Sequence, residues 1–331
     1  MSFSIPVISA LANTASYIWA STPPSLTGCL IFGAHKLIQA RKIYCQSAEM
    51  RQPAEYPYIA HIGGTADVGK EPKDSLSFYC LETLFLKPMG FPKTHICSLS
   101  PNSALEVYPK ESIRSLSTEQ YFTAAQQQVS TFLKNVIKAN NKKIDLIITG
   151  LSQGGGIAVQ LATALLENPE IAAKIDRLLL IPVHATIKGS TANAWPKWMR
   201  EYLIRFFYLH NACNEFHRDS PFLIKNRIAI ETLNQLQKTE EGKILIEYVH
   251  DGIDSLVDHR QSKAKNHSWQ WDQLFFIGAS MLAVSLIFDT PLLLPLLFIA
   301  ILVGFFNHAL GMNNPKIGEH ISAFIHGAKE D

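Results

Sequence analysis

Gly150-Leu151-Ser152-Gln153-Gly154 sets a hydroxyl among small neighbours at a spacing suited to nucleophilic chemistry. A serine hydroxyl attacks a carbonyl only when a base removes its proton, and donors must stand ready for the negative charge that develops. Upstream, Ile144 to Thr149 is apolar and β-rich and reads as a buried strand. Downstream, Ile157, Leu161 and Leu165 recur on one helical face up to Glu167-Asn168-Pro169. A sharp turn between such a strand and such a helix strains the serine backbone and crowds its neighbours, which is why glycines flank it. The helix N-terminus then aims N–H groups at an oxyanion. The competing reading is a glycine-rich turn with a structural serine.

An acyl-transfer site also needs an oxyanion hole. One donor is the N–H of Gln153, directly after the nucleophile. The second is expected after an earlier strand, where Tyr58-Ile59-Ala60 runs into His61-Ile62-Gly63-Gly64-Thr65, with Gly63 and Gly64 as alternatives.

The Gly150-to-Gly154 motif matches the nucleophile elbow of α/β-hydrolases, and His61-Ile62-Gly63-Gly64 resembles the His-Gly-Gly motif of lipases and esterases, with Ile62 where glycine is usual. The resemblance covers roughly residues 55 to 330. It implies a triad in the chain order serine, acid, histidine. Ile244 to Val249 followed by His250-Asp251-Gly252-Ile253-Asp254-Ser255-Leu256-Val257 is similar to the family's late strand and acid loop, making Asp254 the acid and Asp251 the alternative. Asn307-His308-Ala309-Leu310-Gly311-Met312-Asn313-Asn314-Pro315, before the helical pattern Ile317 to Phe324, resembles the catalytic histidine loop and last helix. That makes His308 the base, with His267 as the alternative. His184 ends a strand beside the site and reads as a pocket wall.

The elements that must position these residues alternate along the chain. Strands are expected at Tyr58–Ala60, Thr94–Leu99, Ile144–Thr149, Leu178–Val183 and Ile244–Val249, and a helix where Phe122, Ala125, Val129, Phe132, Leu133, Val136 and Ile137 recur. Such alternation predicts an α/β fold with a mostly parallel sheet covered by helices. The expected organisation is an apolar arm over 1–47 and a hydrolase-like domain over 48–331. Within that domain, 187–242 reads as a helical cap bearing Trp195, Trp198, Phe206 and Phe207, and 272–306 as an apolar insert.

The insert is the chain's most unusual stretch. From Leu274 to Phe306 the only charged residue is Asp289, and Asp289-Thr290-Pro291 divides the run in two. A helix from either half is about 23 Å long, short of the roughly 30 Å hydrocarbon core. A shallow helical hairpin in contact with a membrane fits better than two spans, the alternative being a buried helix pair. Ser152 and His308 share one site only if this stretch enters and leaves on the same face. The first 35 residues carry no Lys, Arg, Asp or Glu and are broken at Pro23-Pro24. No basic n-region precedes them, so no cleavable signal peptide is read, and the arm packs on the domain or lies in a membrane interface.

Composition bounds the partners. Across 331 residues, 47% are apolar and 18% charged, below the roughly 25% charged of an average soluble domain, which points to surface hidden from water. Thirty Lys and Arg against 28 Asp and Glu give a net charge of +2 without a basic run, which excludes a nucleic-acid footprint. Five scattered cysteines without a CxxC pair support neither a zinc ribbon nor a disulfide framework, so a reducing compartment, at the cytosolic face of a membrane, is expected. No metal or organic cofactor is implied. The low charge and apolar insert also resemble lipase-like effectors of intracellular bacteria. The expected function is a serine hydrolase acting on a carboxylic ester of a lipid or acyl chain. The alternatives are an inactive membrane-associated scaffold of the same fold, or an acyltransferase using the same triad.

Overall fold

The computed structural model describes residues 56–64, 75–112, 115–140, 142–187, 215, 219–240, 242–250 and 311–327. Five strands, β1 (Tyr58–Ile62), β2 (Ile96–Leu99), β3 (Ile144–Leu151), β4 (Ile175–Val183) and β5 (Ile244–Ile246), form one sheet in the order β2-β1-β3-β4-β5. Every pairing is parallel. The central strands are buried on both faces, so their sequences are continuous apolar runs with no alternation of apolar and polar residues.

Parallel neighbours require crossovers, and right-handed crossovers fix which face each helix covers. From β1 the chain moves outward to β2 through α1 (Leu76–Leu81) and a π-helical turn over Glu82–Leu86, which cover one face. From β2 it returns across β1 to β3 through α2 (Thr118–Asn140), then steps onward through α3 (Gln153–Glu167) and α4 (Pro221–Thr239), all on the other face. The last helix, α5 (Pro315–His326), joins α1 on the first face through Ile317, Ile321 and Phe324. The direction of winding therefore reverses between β1 and β3. The chain leaving β1 passes to one face and the chain leaving β3 to the other, the kind of switch point at which open α/β sheets take their ligands.

Several boundaries differ from the expected ones for local reasons. β4 begins at Ile175, three residues early, because Arg177 reaches back to the Asp145 carboxylate on β3 and lies over the Phe324 ring at 4.5 Å, so two charged residues fit within the strand. β2 begins at Ile96, since Pro92 starts a 3-10 turn over Lys93–His95. The run Ile244–Val249 keeps regular pairing only to Ile246 and regains a single bridge at Val249 to Val183. Within 187–242, α4 packs on α3: Gln160 donates to Asn226 Oδ1 at 2.7 Å, and Phe222, Leu223, Ala229 and Leu233 enter the core. The arm 1–47, residues 188–214 and the stretch 274–306 lie outside the described residues. Among the described residues no helix is long and apolar enough to cross a membrane.

Candidate active site

Ser152 stands at the corner between β3 and α3 with φ 57° and ψ −119°, a backbone conformation that residues with a side chain rarely adopt. The corner is over-determined by its bonds. Ser152 N donates to Val183 O at 2.9 Å, while Ser152 O accepts from Gly155 N at 3.0 Å and from Thr186 N at 3.2 Å. The turn is also too tight for side chains around it. A Cβ on Gly150 would stand 2.3 Å from Gly154 O, and one on Gly154 would stand 2.2 Å from Ile62 O and 2.4 Å from Gly63 O.

A serine at a helix N-cap ordinarily turns its hydroxyl back onto the second or third N–H of the helix. Ser220 and Asn314 do so for α4 and α5. Ser152 does not: its side chain caps nothing. The residue is buried, 6% exposed.

The loop after β1 meets this corner. A Cβ on Gly64 would lie 3.2 Å from Ser152 Cβ and 2.7 Å from Leu151 O, so Gly64 brings its main chain against Ser152. Gly63 N donates to Leu99 O at 2.8 Å, continuing the ladder between β1 and β2. The first turn of α2 ties both loops down. Tyr121 Oη donates to Gly63 O at 3.1 Å, and Gln153 Nε2 donates to Thr118 Oγ1 at 3.0 Å, turning that side chain off the Ser152 side of the helix end. Neither Thr118 nor Tyr121 was singled out from sequence, since nothing in a helical period marks which residue will reach a loop 58 positions away.

His61 is fully buried beneath the same loop, its Nε2 2.9 Å from Ser77 Oγ, and burial lowers its imidazole pKa to about 3, so the ring is neutral. His184 ends β4 one position beyond the Ser152–Val183 bond. It too has a positive φ, 45°, and is wholly buried. A Cβ on Gly311 would lie 2.4 Å from His184 Cδ2 and 3.1 Å from Leu151 Cδ1, so the chain before α5 returns directly against both corners.

Of the residues picked out from sequence, Ser152, Gln153, Gly63 and Gly64 come together at the carboxyl edge. Asp251, Asp254, His267 and His308 lie outside the described residues. Their flanks are nevertheless placed. His184 N donates to Val249 O at 2.9 Å, and the His184 ring abuts Gly311. His308 precedes Gly311 by three positions in the sequence.

Among the described residues, no three of His, Cys, Asp and Glu are grouped to hold a metal ion. No family model matches the sequence, and no curated protein matches it. Among solved structures, phospholipase PlaB from Legionella pneumophila is similar over 64% of this chain at 13% identity and a TM-score of 0.35, and this chain spans 42% of that protein's length.

Proposed function

We propose that the protein is a serine hydrolase cleaving a carboxylic ester of a lipid or acyl-chain substrate. The observation that carries the reading is Ser152, held at positive φ at the winding reversal of a parallel sheet, its hydroxyl not spent on capping the helix behind it. Ser152 Oγ attacks the ester carbonyl while His308 takes its proton, and Asp254 holds the imidazole in the productive tautomer. The N–H of Gln153 and one from the Gly63-Gly64 loop receive the oxyanion; Gly63 N donates to Leu99 O in this structure. Collapse expels the alcohol, protonated by His308, and leaves an acyl-enzyme for water to cleave.

The lipid part of the reading rests on the 274–306 stretch with its single charge and on Val249 and Gly311, which precede and follow it in the chain and both meet His184. A chain that leaves and returns at one edge suits a segment dipping into a membrane from the side that carries the site, where lipid esters are concentrated. It does not suit a single crossing, which would part Ser152 from His308.

Activity-based labelling tests the reading. A fluorophosphonate probe is expected to modify full-length protein in detergent or vesicles at Ser152. Ser152→Ala is expected to abolish the signal, and His308→Ala to slow labelling by roughly a hundredfold or more. A folded wild-type protein that stays unlabelled would instead be a scaffold that keeps the fold without the chemistry. Diversion of the acyl group to an added alcohol in preference to water would make it an acyltransferase.

A further inference from the structure

On the face of the sheet covered by α1 and α5, away from the Asp145–Arg177 pair, polar side chains stand in one lateral row. Ser98 of β2, His61 of β1 and Thr149 of β3 are register partners, so their side chains leave the same face on adjacent strands, about 4.8 Å apart. His61 Nε2 is satisfied by Ser77 Oγ of α1. His61 Nδ1, Ser98 Oγ and Thr149 Oγ1 are buried with no hydrogen-bond partner among the described residues. Asn313, in the 3-10 turn Gly311–Asn313 that packs on α1, is buried with neither its Oδ1 nor its Nδ2 bonded. Seven buried side-chain atoms among the described residues lack a partner, and five of them belong to these four residues. Three of them stand side by side on one row of adjacent strands, and the other two belong to the turn that packs on α1.

Left dry, five such atoms would take up a large share of a domain's net stability, whereas a buried water bonded to about three of them restores what burial removed. The row also has a place relative to the chemistry. His61 is followed by Gly63 and Gly64, Thr149 by Ser152, and Asn313 ends the turn that begins at Gly311. Each orphaned group thus lies a few residues along its own segment from the corner.

We propose that Ser98, His61, Thr149 and Asn313 hold a string of buried waters beneath the catalytic corner, and that this string supplies the water that cleaves the acyl-enzyme. The supply role rests on the hydrolase reading; the water site does not. A site whose mouth is filled by an acyl chain at a lipid surface has bulk water on the wrong side, and a reservoir under the floor removes that difficulty. In the step, the water oxygen bonds to the acyl carbon and its proton passes to His308. The bond from that carbon to Ser152 Oγ then breaks, and the proton returns to Oγ as the free acid leaves.

Thr149→Val tests this, because valine keeps the shape and removes the hydroxyl. If the row is wet, the change deprives a water of a partner and lowers Tm; if it is dry, the change removes an unsatisfied group and raises Tm. With p-nitrophenyl butyrate, the burst of p-nitrophenol is expected to stay within about twofold of wild type while the steady rate falls about tenfold, since only deacylation is affected. A raised Tm overturns the water site. A lowered Tm with burst and steady rate unchanged, or falling together, overturns the supply role. Ser98→Ala, at the outer end of the row, gives the same readings should Thr149→Val fold poorly. A wild type that fluorophosphonate leaves unlabelled refutes the hydrolase reading and the supply role with it, and the Tm comparison still decides the water site.

Discussion

Two corners stand side by side on the carboxyl edge of the sheet, one at Ser152 after β3 and one at His184 after β4. They are the two non-glycine residues with positive φ among the described residues, and the peptide bond before each is tied to the next strand, at Val183 O and Val249 O respectively. Their side chains are put to different uses. Ser152 is followed at once by a helix that its side chain does not cap, and its Cβ lies against Gly64. His184 is followed by a loop, and its ring is sealed beneath Gly311. The same backbone strain, of order 1–3 kcal/mol per residue, thus leaves a hydroxyl that caps nothing at one corner and a ring packed under Gly311 at the other. On the proposed reading the two are coupled, because the second corner sets where His308 arrives.

The largest effects should come from the first corner. Ser152→Ala is expected to lower ester turnover by at least about four orders of magnitude with little change in Tm, since it removes the nucleophile and leaves a residue of similar size. Gly154→Ala should do more damage to the fold. Its Cβ would be driven into Ile62 O and Gly63 O, which are main-chain atoms and cannot swing aside. A loss of about 3 kcal/mol or more in urea denaturation is expected, along with loss of fluorophosphonate labelling. Normal stability in that variant would mean the β1 and β3 loops do not meet as described.

Gly311→Ala probes the second corner. Its Cβ would stand 2.4 Å from the buried His184 ring and 3.1 Å from Leu151 Cδ1, so the ring must shift to admit it and a stability loss of about 1–3 kcal/mol is expected. Displacing the chain three residues from His308 should lower kcat by about ten- to a hundredfold with KM nearly unchanged. Adding His184→Ala makes room for the methyl group and should recover part of both losses, a coupling that a double-mutant cycle measures directly. Strict additivity would separate the two corners and leave His184 a wall without influence on the base.

How much of this was legible in the sequence follows from the range of the interactions. The runs Ile144–Thr149 and Leu178–Val183 announced central strands because both faces of a parallel sheet are covered, and the glycines around Ser152 announced a tight turn because that constraint acts within five residues. That Gly63 N is tied to Leu99 O was not legible, since the partner is on another strand. Nor was the strain at His184, where nothing in Val183-His184-Ala185 requires positive φ; Val249 and Gly311 impose it from 65 and 127 positions away. The row Ser98–His61–Thr149 was invisible for the same reason, because register joins three segments that are individually unremarkable as sequence. The 187–242 stretch looked uniformly like a cap, since amphipathic period reveals that a helix has a buried face without revealing what lies against it. In α4 that face is turned to α3.

A third buried group, His61, separates the effect of burying an imidazole from that of straining its backbone, because it lies within regular β1. Burial lowers its pKa to about 3, while the unfolded chain protonates near 6.5. Above pH 6.5 both states are neutral there and the group adds no pH dependence. As pH falls from 6.5 towards 3, the unfolded state gains a proton that the native state refuses, so stability is lost at about 1.4 kcal/mol per pH unit. His61→Gln keeps an acceptor for Ser77 and removes that proton. Its urea midpoint is expected to match wild type within about 1 kcal/mol at pH 7.5, and its stability should decline less steeply on acidification. By pH 5.5 the difference between the two slopes should amount to about 1.4 kcal/mol. Identical acid slopes would mean that the His61 ring gains a proton in the native state, and the neutral floor assigned to the first corner would be wrong.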